Sequence, residues 1–415
     1  MYVRIMVLIF FAIFFLAIDY YLFQAVAHVT RDVSPGWRQF WRVAFWVPTA
    51  LSLLALAWWA FGNQYLLGGQ VRAWIITGLV GIYFSKIFGI LFVFADDVQR
   101  GLRWVVQQFT KSSEALPGEA ITRSEFLNKA ALVATAVPFG AMAYGIVSGA
   151  HDYRVRRVRV PIRNLPPAFH GLRAVQISDI HSGSFWSKTA VKGGVEMILS
   201  EKPDLLFFTG DLVNNESAEV RDYLPIFSKL KAPLGVFSVT GNHDYGDYRA
   251  WDTKEAKQQN FKDLIEAHRL LGFDLLMNEN RMLEISGEKL AIIGNENWGA
   301  GRFSKYGKLA EAYVGTTEAA TKILLSHDPS HWDAQVRPQF SDIDLTLAGH
   351  THGFQFGVEI GGFKWSPSQY AYKQWAGLYT EGNQHLYVNR GFGYIGYPGR
   401  IGMPPEVTVL ELVRA

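Results

Sequence analysis

The sequence contains no cysteine. That excludes a disulfide framework, thiolate-bound zinc and a thiol nucleophile, and it fits any compartment. Charge is scarce at the start. Only 11 of the 40 Lys and Arg residues and 7 of the 37 Asp and Glu residues fall within residues 1–150. That region carries a net charge of +4, and the remaining 265 residues carry −1. No stretch is strongly basic, which argues against nucleic-acid binding. Aromatics at 14% and a net charge of only +3 exclude a disordered chain. The mean hydropathy of +0.06 averages two unlike parts.

The charge-poor part holds four apolar runs near the roughly 20 residues that a helix needs to span a bilayer. They cover Met6–Ala27, Val43–Phe61, Ala73–Ala95 and Ala130–Ala150. Pro48 and Pro138 are tolerable inside such helices, where neighbours re-satisfy the freed carbonyls. Trp37, Trp41, Trp58, Trp59 and Trp74 lie near the run ends, as an interfacial belt requires. Four such runs in 150 residues are too many for the buried helices of a soluble domain. No small-residue site follows the first run, so a cleaved signal peptide is not expected. Asp19 and Lys86 sit inside runs, and each alone would cost about 3 kcal/mol in hydrocarbon. Either they pair across the bundle, or each snorkels toward a polar crevice.

Loop charge sets orientation. Arg31, Arg38 and Arg42 lie in loop 28–42, and Arg100, Arg103, Lys111, Arg123 and Lys129 in loop 96–129. The opposite side has only Arg4 and Arg72. Both loops are therefore expected in the cytoplasm and residues 151–415 outside. Arg154, Arg156, Arg157 and Arg159, directly after the fourth run, are a contrary signal. The segment Thr122–Leu127 resembles a twin-arginine export signal, with Ser124 in place of the second Arg.

After Ala150 the pattern becomes short β-rich runs alternating with helical stretches, which predicts an α/β domain over 151–415. The predicted strands are Leu172–Ser178, Leu205–Thr209, Val236–Thr240, Lys322–Ser326, Ile343–Ala348 and His385–Asn389, with helices at Thr189–Ser200 and Thr253–Leu271. The Pro161–Pro167 stretch leads into it.

The chemistry lies just beyond the strands. The first five end at Asp179-Ile180-His181, Gly210-Asp211, Gly241-Asn242-His243-Asp244, His327-Asp328 and Gly349-His350-Thr351-His352. In open α/β sheets that edge is where ligands bind. A Gly-Asp pair alone is usually a turn, but five such motifs in order are not. His28, His151, His170, His268, His331 and His385 have no such context and read as surface or core. Lys188, Arg390 and Arg400 could contact a phosphate, but the expectation for each is an ordinary surface or packing residue. Imidazole, carboxylate and amide oxygens together suit divalent transition metals. Asp179, His181, Asp211, Asn242, His327, His350 and His352 make seven ligands, too many for one open site and right for two, with Asp211 the natural bridge. Two ions about 3.5–4 Å apart lower the pKa of a shared water toward 7 and clamp a phosphoryl group. His243 can then protonate the leaving oxygen or stabilise phosphorane charge, and Asp244 can orient its ring.

This ordered set resembles the calcineurin-like metallophosphoesterase superfamily, over roughly residues 170–415. Ser178–Gly183, Leu325–Pro329, Gly349–Gly353 and Asn389-Arg390-Gly391, with Pro404–Val407 behind it, are similar to its bacterial membrane-bound or exported branch. The resemblance implies a four-layer α-β-β-α sandwich behind a membrane domain of about four spans, in a bacterial inner or plasma membrane. It implies that Asp179, His181, Asp211 and His352 hold one metal and Asp211, Asn242, His327 and His350 the other, with His243 the catalytic imidazole. Phe354 departs from the branch, which often has a second Gly before Gln355. Some members hydrolyse the diphosphate of UDP-2,3-diacylglucosamine on the cytoplasmic side, whereas loop charge puts this site outside.

The expectation is a membrane-tethered phosphohydrolase with two divalent ions (Mn, Fe, Zn or Co), acting on a phosphoester or diphosphate of a lipid-linked or envelope molecule. Membrane lipids are expected partners; no protein partner is readable. The competing expectation is a membrane scaffold or transport protein whose phosphoesterase-like domain only binds ligand. Loss of ligands would favour it, and none is missing.

Overall fold

A computed structural model describes residues 2–62, 69–109 and 123–415. They form two compact units, Met1–Tyr144 and Gly145–Ala415. Lys111 and Thr122, where the export-signal-like segment begins, lie outside the described residues.

The first unit is built on helices α1 (Tyr2–Val29), α2 (Pro35–Phe61), α3 (Gly69–Phe109) and α4 (Arg123–Val147). Each is long and apolar enough to cross a membrane. Pro35 opens α2, where its missing N–H costs nothing. The 41 residues of α3 reach about 60 Å, twice a hydrocarbon core, so this helix continues well past one. Asp19 on α1 and Lys86 on α3 form a buried ion pair. The second carboxylate oxygen of Asp19 accepts hydrogen bonds from Thr49 Oγ1 at 2.6 Å and Tyr83 OH at 2.9 Å. The ammonium also lies 4.9 Å from the Tyr83 ring and 5.0 Å from that of Phe45. The charges thus pair rather than snorkel, and every polar atom of the carboxylate is engaged, as hydrocarbon demands.

The second unit carries fourteen strands. In chain order its elements are β1 (Arg154–Ile162), β2 (Arg173–Ile177), α5 (Lys188–Ser200), β3 (Leu205–Phe208), the single turn α6 (Leu224–Phe227), β4 (Val236–Ser238), α7 (Lys254–Leu271), β5 (Asp274–Leu275), β6 (Glu279–Ile285) and β7 (Glu288–Asn295). Then come β8 (Thr321–Ser326), β9 (Leu345–Ala348), β10 (Val358–Ile360), β11 (Phe363–Trp365), β12 (Gly377–Glu381), β13 (Gln384–Val388) and β14 (Glu406–Arg414). One six-stranded sheet has the order β1-β14-β2-β3-β4-β5, the other β12-β13-β9-β8-β7-β6. Both are mainly parallel, with antiparallel pairs at β14–β2, β12–β13 and β6–β7.

Alternation along the strands produces the layers. Leu205 and Phe207 of β3 and Ile323 and Leu325 of β8 meet between the sheets. Leu206 and Phe208 point the other way, onto Val191 and Val195 of α5 and Leu264 and Leu271 of α7. Leu324 likewise turns outward, onto Leu309, Trp332 and Val336. Side chains of period two, apolar at both phases, are what a sheet covered on both faces needs. The result is a four-layer α-β-β-α sandwich.

The four arginines after the last apolar run belong to this sandwich. They lie in β1, an edge strand, and each finds a carboxylate: Arg154 with Asp152, Arg156 with Glu359, Arg157 with Glu201 and Arg159 with Glu411. Charged side chains on an edge also discourage pairing with another chain.

Candidate metal centre

Both sheets deliver side chains to one place. β2 leads into Asp179 and His181, β3 into Asp211, and β4 into Asn242, His243 and Asp244. From the other sheet, β8 leads into His327 and β9 into His350 and His352. Backbone hydrogen bonds knit these loops. Asp179 N–H donates to the Gly210 carbonyl at 2.9 Å, His181 N–H to Asp211 at 3.1 Å, Gly349 N–H to His327 at 3.0 Å and Phe392 N–H to Ser178 at 2.7 Å.

The turns are tight. Asp179, His181, Asp211, His350 and His352 all have φ between 47° and 71°. Left-handed backbone costs an L-residue about 1–2 kcal/mol, and concentrating it at one cluster is typical of functional sites. A Cβ at Gly241 would collide with the Asp211 carboxylate, which explains the glycine of the Gly-Asn-His-Asp turn.

Ligand-competent atoms converge in two groups, Asp179–His181–His352 and Asp211–His327–His350. In the first, His352 Nε2 lies 3.1 Å from both His181 Nε2 and Asp179 Oδ1. In the second, His327 Nε2 lies 3.1 Å from Asp211 Oδ2 and 3.3 Å from His350 Nδ1. The same Asp211 oxygen is 3.5 Å from His181 Nε2. One carboxylate oxygen therefore reaches both groups.

The far nitrogens are tied off. His327 Nδ1 donates to the Thr209 carbonyl at 2.7 Å, and His350 Nε2 meets Tyr372 OH at 2.8 Å. These bonds aim the remaining lone pairs at the cluster. Asn242 supplies a further sign. Its Nδ2 donates to Tyr248 OH at 2.9 Å, while its Oδ1 is buried with no hydrogen-bond partner. A buried bare amide oxygen beside converging imidazoles fits a cation.

Protonation agrees. Burial pushes the Asp179 and Asp211 carboxyls up, but neighbouring imidazoles outweigh it and hold both below the usual carboxylate range. Burial drives His181 well below its ordinary value and His350 down to about 4. Charged carboxylates and neutral imidazoles are the state metal binding needs. His327 differs: burial pulls it down, yet Asp211 and Asp179 prevail and lift it to about 10.

The structure corrects the reading of Asp244. Its carboxylate does not touch the His243 ring. It accepts backbone N–H bonds from Asp211 (2.9 Å), Leu212 (2.9 Å), Val213 (3.4 Å) and Gly241 (2.8 Å), so it shapes the loops that carry the ligands. His243 Nδ1 instead donates to the Asn214 carbonyl at 2.8 Å, and its backbone N–H bonds Asp211 Oδ1 at 2.8 Å. A backbone carbonyl next to an invisible turn carries no motif, so sequence reasoning missed it. Tyr248 and Tyr372 were missed too, because neither belongs to a motif.

The residues read as packing are accounted for as such. Arg400 is buried, and its guanidinium donates to the carbonyls of Arg390 at 2.8 Å and Met403 at 3.2 Å. Arg390 pairs with Glu406 and Lys188 with Asp222. His268 and His331 are buried on Ser238 and Ser326.

Two family models match the chain. The model for the probable calcineurin-like phosphoesterase transmembrane domain matches residues 3–150, and that for calcineurin-like phosphoesterase matches residues 172–354. The metallophosphoesterase YkuE of Bacillus subtilis is 31% identical over 288 residues, covering 66% of this chain and 94% of the relative. A transmembrane protein with metallophosphoesterase domain from Danio rerio is 28% identical over 383 residues, covering 89% and 81%. UDP-2,3-diacylglucosamine pyrophosphatase LpxG of Chlamydia trachomatis is 28% identical over 300 residues, covering 60% and 86%. With one family model on the apolar helices and another on the ligand-bearing strands, this chain belongs to the calcineurin-like metallophosphoesterases, as an integral membrane hydrolase of phosphoric esters or diphosphates.

Proposed function

We propose that this enzyme cleaves a phosphoester or diphosphate of a lipid-linked or envelope substrate, with residues 1–150 as its membrane domain and 151–415 as its catalytic domain. The observation that carries this reading is the reach of Asp211 Oδ2, 3.5 Å from His181 Nε2 and 3.1 Å from His327 Nε2. Asp179, His181, Asp211 and His352 would hold one divalent ion, and Asp211, Asn242, His327 and His350 the other. When bound, such a pair supplies an activated water and neutralises charge on the phosphoryl oxygens. Nitrogen and oxygen donors without thiolate suit Mn, Fe, Zn or Co.

His243 acts as the proton carrier. The Asn214 carbonyl fixes its Nδ1–H and leaves Nε2 outside that bond, with the ring 5.0 Å from that of His181. In its protonated form Nε2 delivers a proton to the leaving oxygen. Asp244 is a positioning residue, holding the Asp211 loop through backbone amides.

The lipid-linked substrate is supported by the membrane helices and by the likeness to a pyrophosphatase whose named substrate carries two acyl groups. A catalytic domain outside the membrane is supported by the Lys and Arg excess of the two loops. Carboxylate partners for Arg154, Arg156, Arg157 and Arg159 give the contrary charges a structural purpose.

The test is hydrolysis of bis-p-nitrophenyl phosphate with Mn²⁺ by the full chain in lipid vesicles. His243→Ala and Asp211→Asn are each expected to lose about a hundredfold or more in kcat. If both variants turn over like the parent, the assigned centre is wrong.

A further inference from the structure

We propose that the β10–β11 hairpin is a membrane-docking element, whose exposed apolar face inserts at the headgroup–acyl boundary of the bilayer that anchors the chain. The register pairs Val358 with Trp365, Glu359 with Lys364 and Ile360 with Phe363. Side chains alternate, so the hairpin has one apolar face and one charged face.

The two faces are turned opposite to those of a water-soluble sheet. The charged face is bound to the rest of the unit. Glu359 pairs with Arg156 at 2.5 Å and with Arg390 at 3.4 Å, and Lys364 Nζ donates to the Ala376 carbonyl at 2.6 Å. The apolar face is left outside, with Ile360 73% and Phe363 63% exposed. Phe354, 64% exposed, and Phe356 extend it toward His352. Six of the eleven exposed large hydrophobic side chains in residues 151–415 fall within residues 354–370. A patch of this kind marks an interaction surface. Phe354 also holds φ at 55°, a conformation that strains a bulky residue and that Gly adopts freely.

The occupant follows from continuity with the last apolar helix. Within the second unit, Gly145 lies in the final turn of α4, and its carbonyl accepts from Arg400 N–H at 3.1 Å. Ile401 N–H donates to the Gln355 carbonyl at 2.8 Å, and Gly357 N–H donates back to Ile401 at 2.9 Å. Within the second unit, three backbone bonds thus run from residue 145, which directly follows apolar residues of the last run in the chain, to the base of the hairpin. Phe and Trp side chains on such a surface suit the interfacial zone. The hairpin begins six residues beyond His352, so docking would hold the metal centre beside the bilayer surface. This inference does not depend on the substrate being a lipid.

Because the chain has no cysteine, one introduced thiol reports one position. Full-length Ile360→Cys and Phe363→Cys proteins are labelled with bimane and reconstituted in vesicles of phosphatidylethanolamine and phosphatidylglycerol. Glu284→Cys, on exposed β6, serves as the reference. Labels at 360 and 363 are expected to emit to the blue of the reference and to be quenched severalfold more by doxyl-labelled lipid than by aqueous iodide. Labels that stay iodide-accessible and insensitive to doxyl lipid, like the reference, overturn the proposal. The readout needs no turnover, so it stands or falls separately from the assigned chemistry.

Discussion

Asn242 shows how a single hydroxyl can decide a ligand. An amide presents oxygen or nitrogen to a site with nearly equal shape, and only its partner distinguishes them. Here Tyr248 OH takes the nitrogen end, which leaves Oδ1 bare. Tyr248→Phe removes that constraint without removing a ligand. The expected outcome is about a tenfold weaker apparent affinity for Mn²⁺, with turnover at saturating metal nearly kept. A metal titration of activity distinguishes this from a general loss of folding, which would lower the plateau. The seven proposed ligand positions were legible as residue types in order. Their backbone was not, since nothing in Asp179 or His350 announces a left-handed φ until the two sheets force the turn. Asp244 misled because adjacency in sequence mimics adjacency in space, and a tight turn sent its carboxylate to four amides instead.

At the level of elements, the six expected strands are present as β2, β3, β4, β8, β9 and β13, whereas β1, β5, β6, β7, β10, β11, β12 and β14 were not read. β1 carries Arg at 154, 156, 157 and 159, which reads as topogenic charge until Glu359, Glu201 and Glu411 appear beside it. Expected strand ends agree to within about two residues elsewhere, as at Leu345 against Ile343. The contact of α7 with β4 makes a prediction of its own. His268 on α7 is buried against Ser238 on β4, and burial lowers it to about 3; His331 is lowered to about 4 in the same way. Both folded values lie below the ordinary 6.5, so the unfolded chain binds protons first as pH falls. Stability is whole above pH 6.5 and declines below it, by on the order of 1 kcal/mol per pH unit for each histidine down to about pH 4. Denaturant midpoints measured from pH 7.5 to 5 should fall less steeply for His268→Asn than for the parent. Equal slopes would show that this histidine is not held neutral.

At the scale of the whole molecule, two units with separate cores are expected to melt separately. Ligands that bind only the folded form stabilise it by about 4 kcal/mol at a thousandfold excess over Kd. Chelation by EDTA should therefore lower one calorimetric transition of the reconstituted protein by several degrees and leave the other in place. A melt in which neither transition moves would mean that the centre holds no resident ion. The topology has one more consequence, in time rather than space. Strand β14 lies between β1 and β2 in the first sheet, although its residues 406–414 are made long after both neighbours. While the ribosome is still making them, β2 has an unfilled flank and β1 has no neighbour at all. The helices of the first unit can enter the bilayer long before that moment. The chain is thus housed early and armed late, and hydrolysis waits on the nine-residue β14.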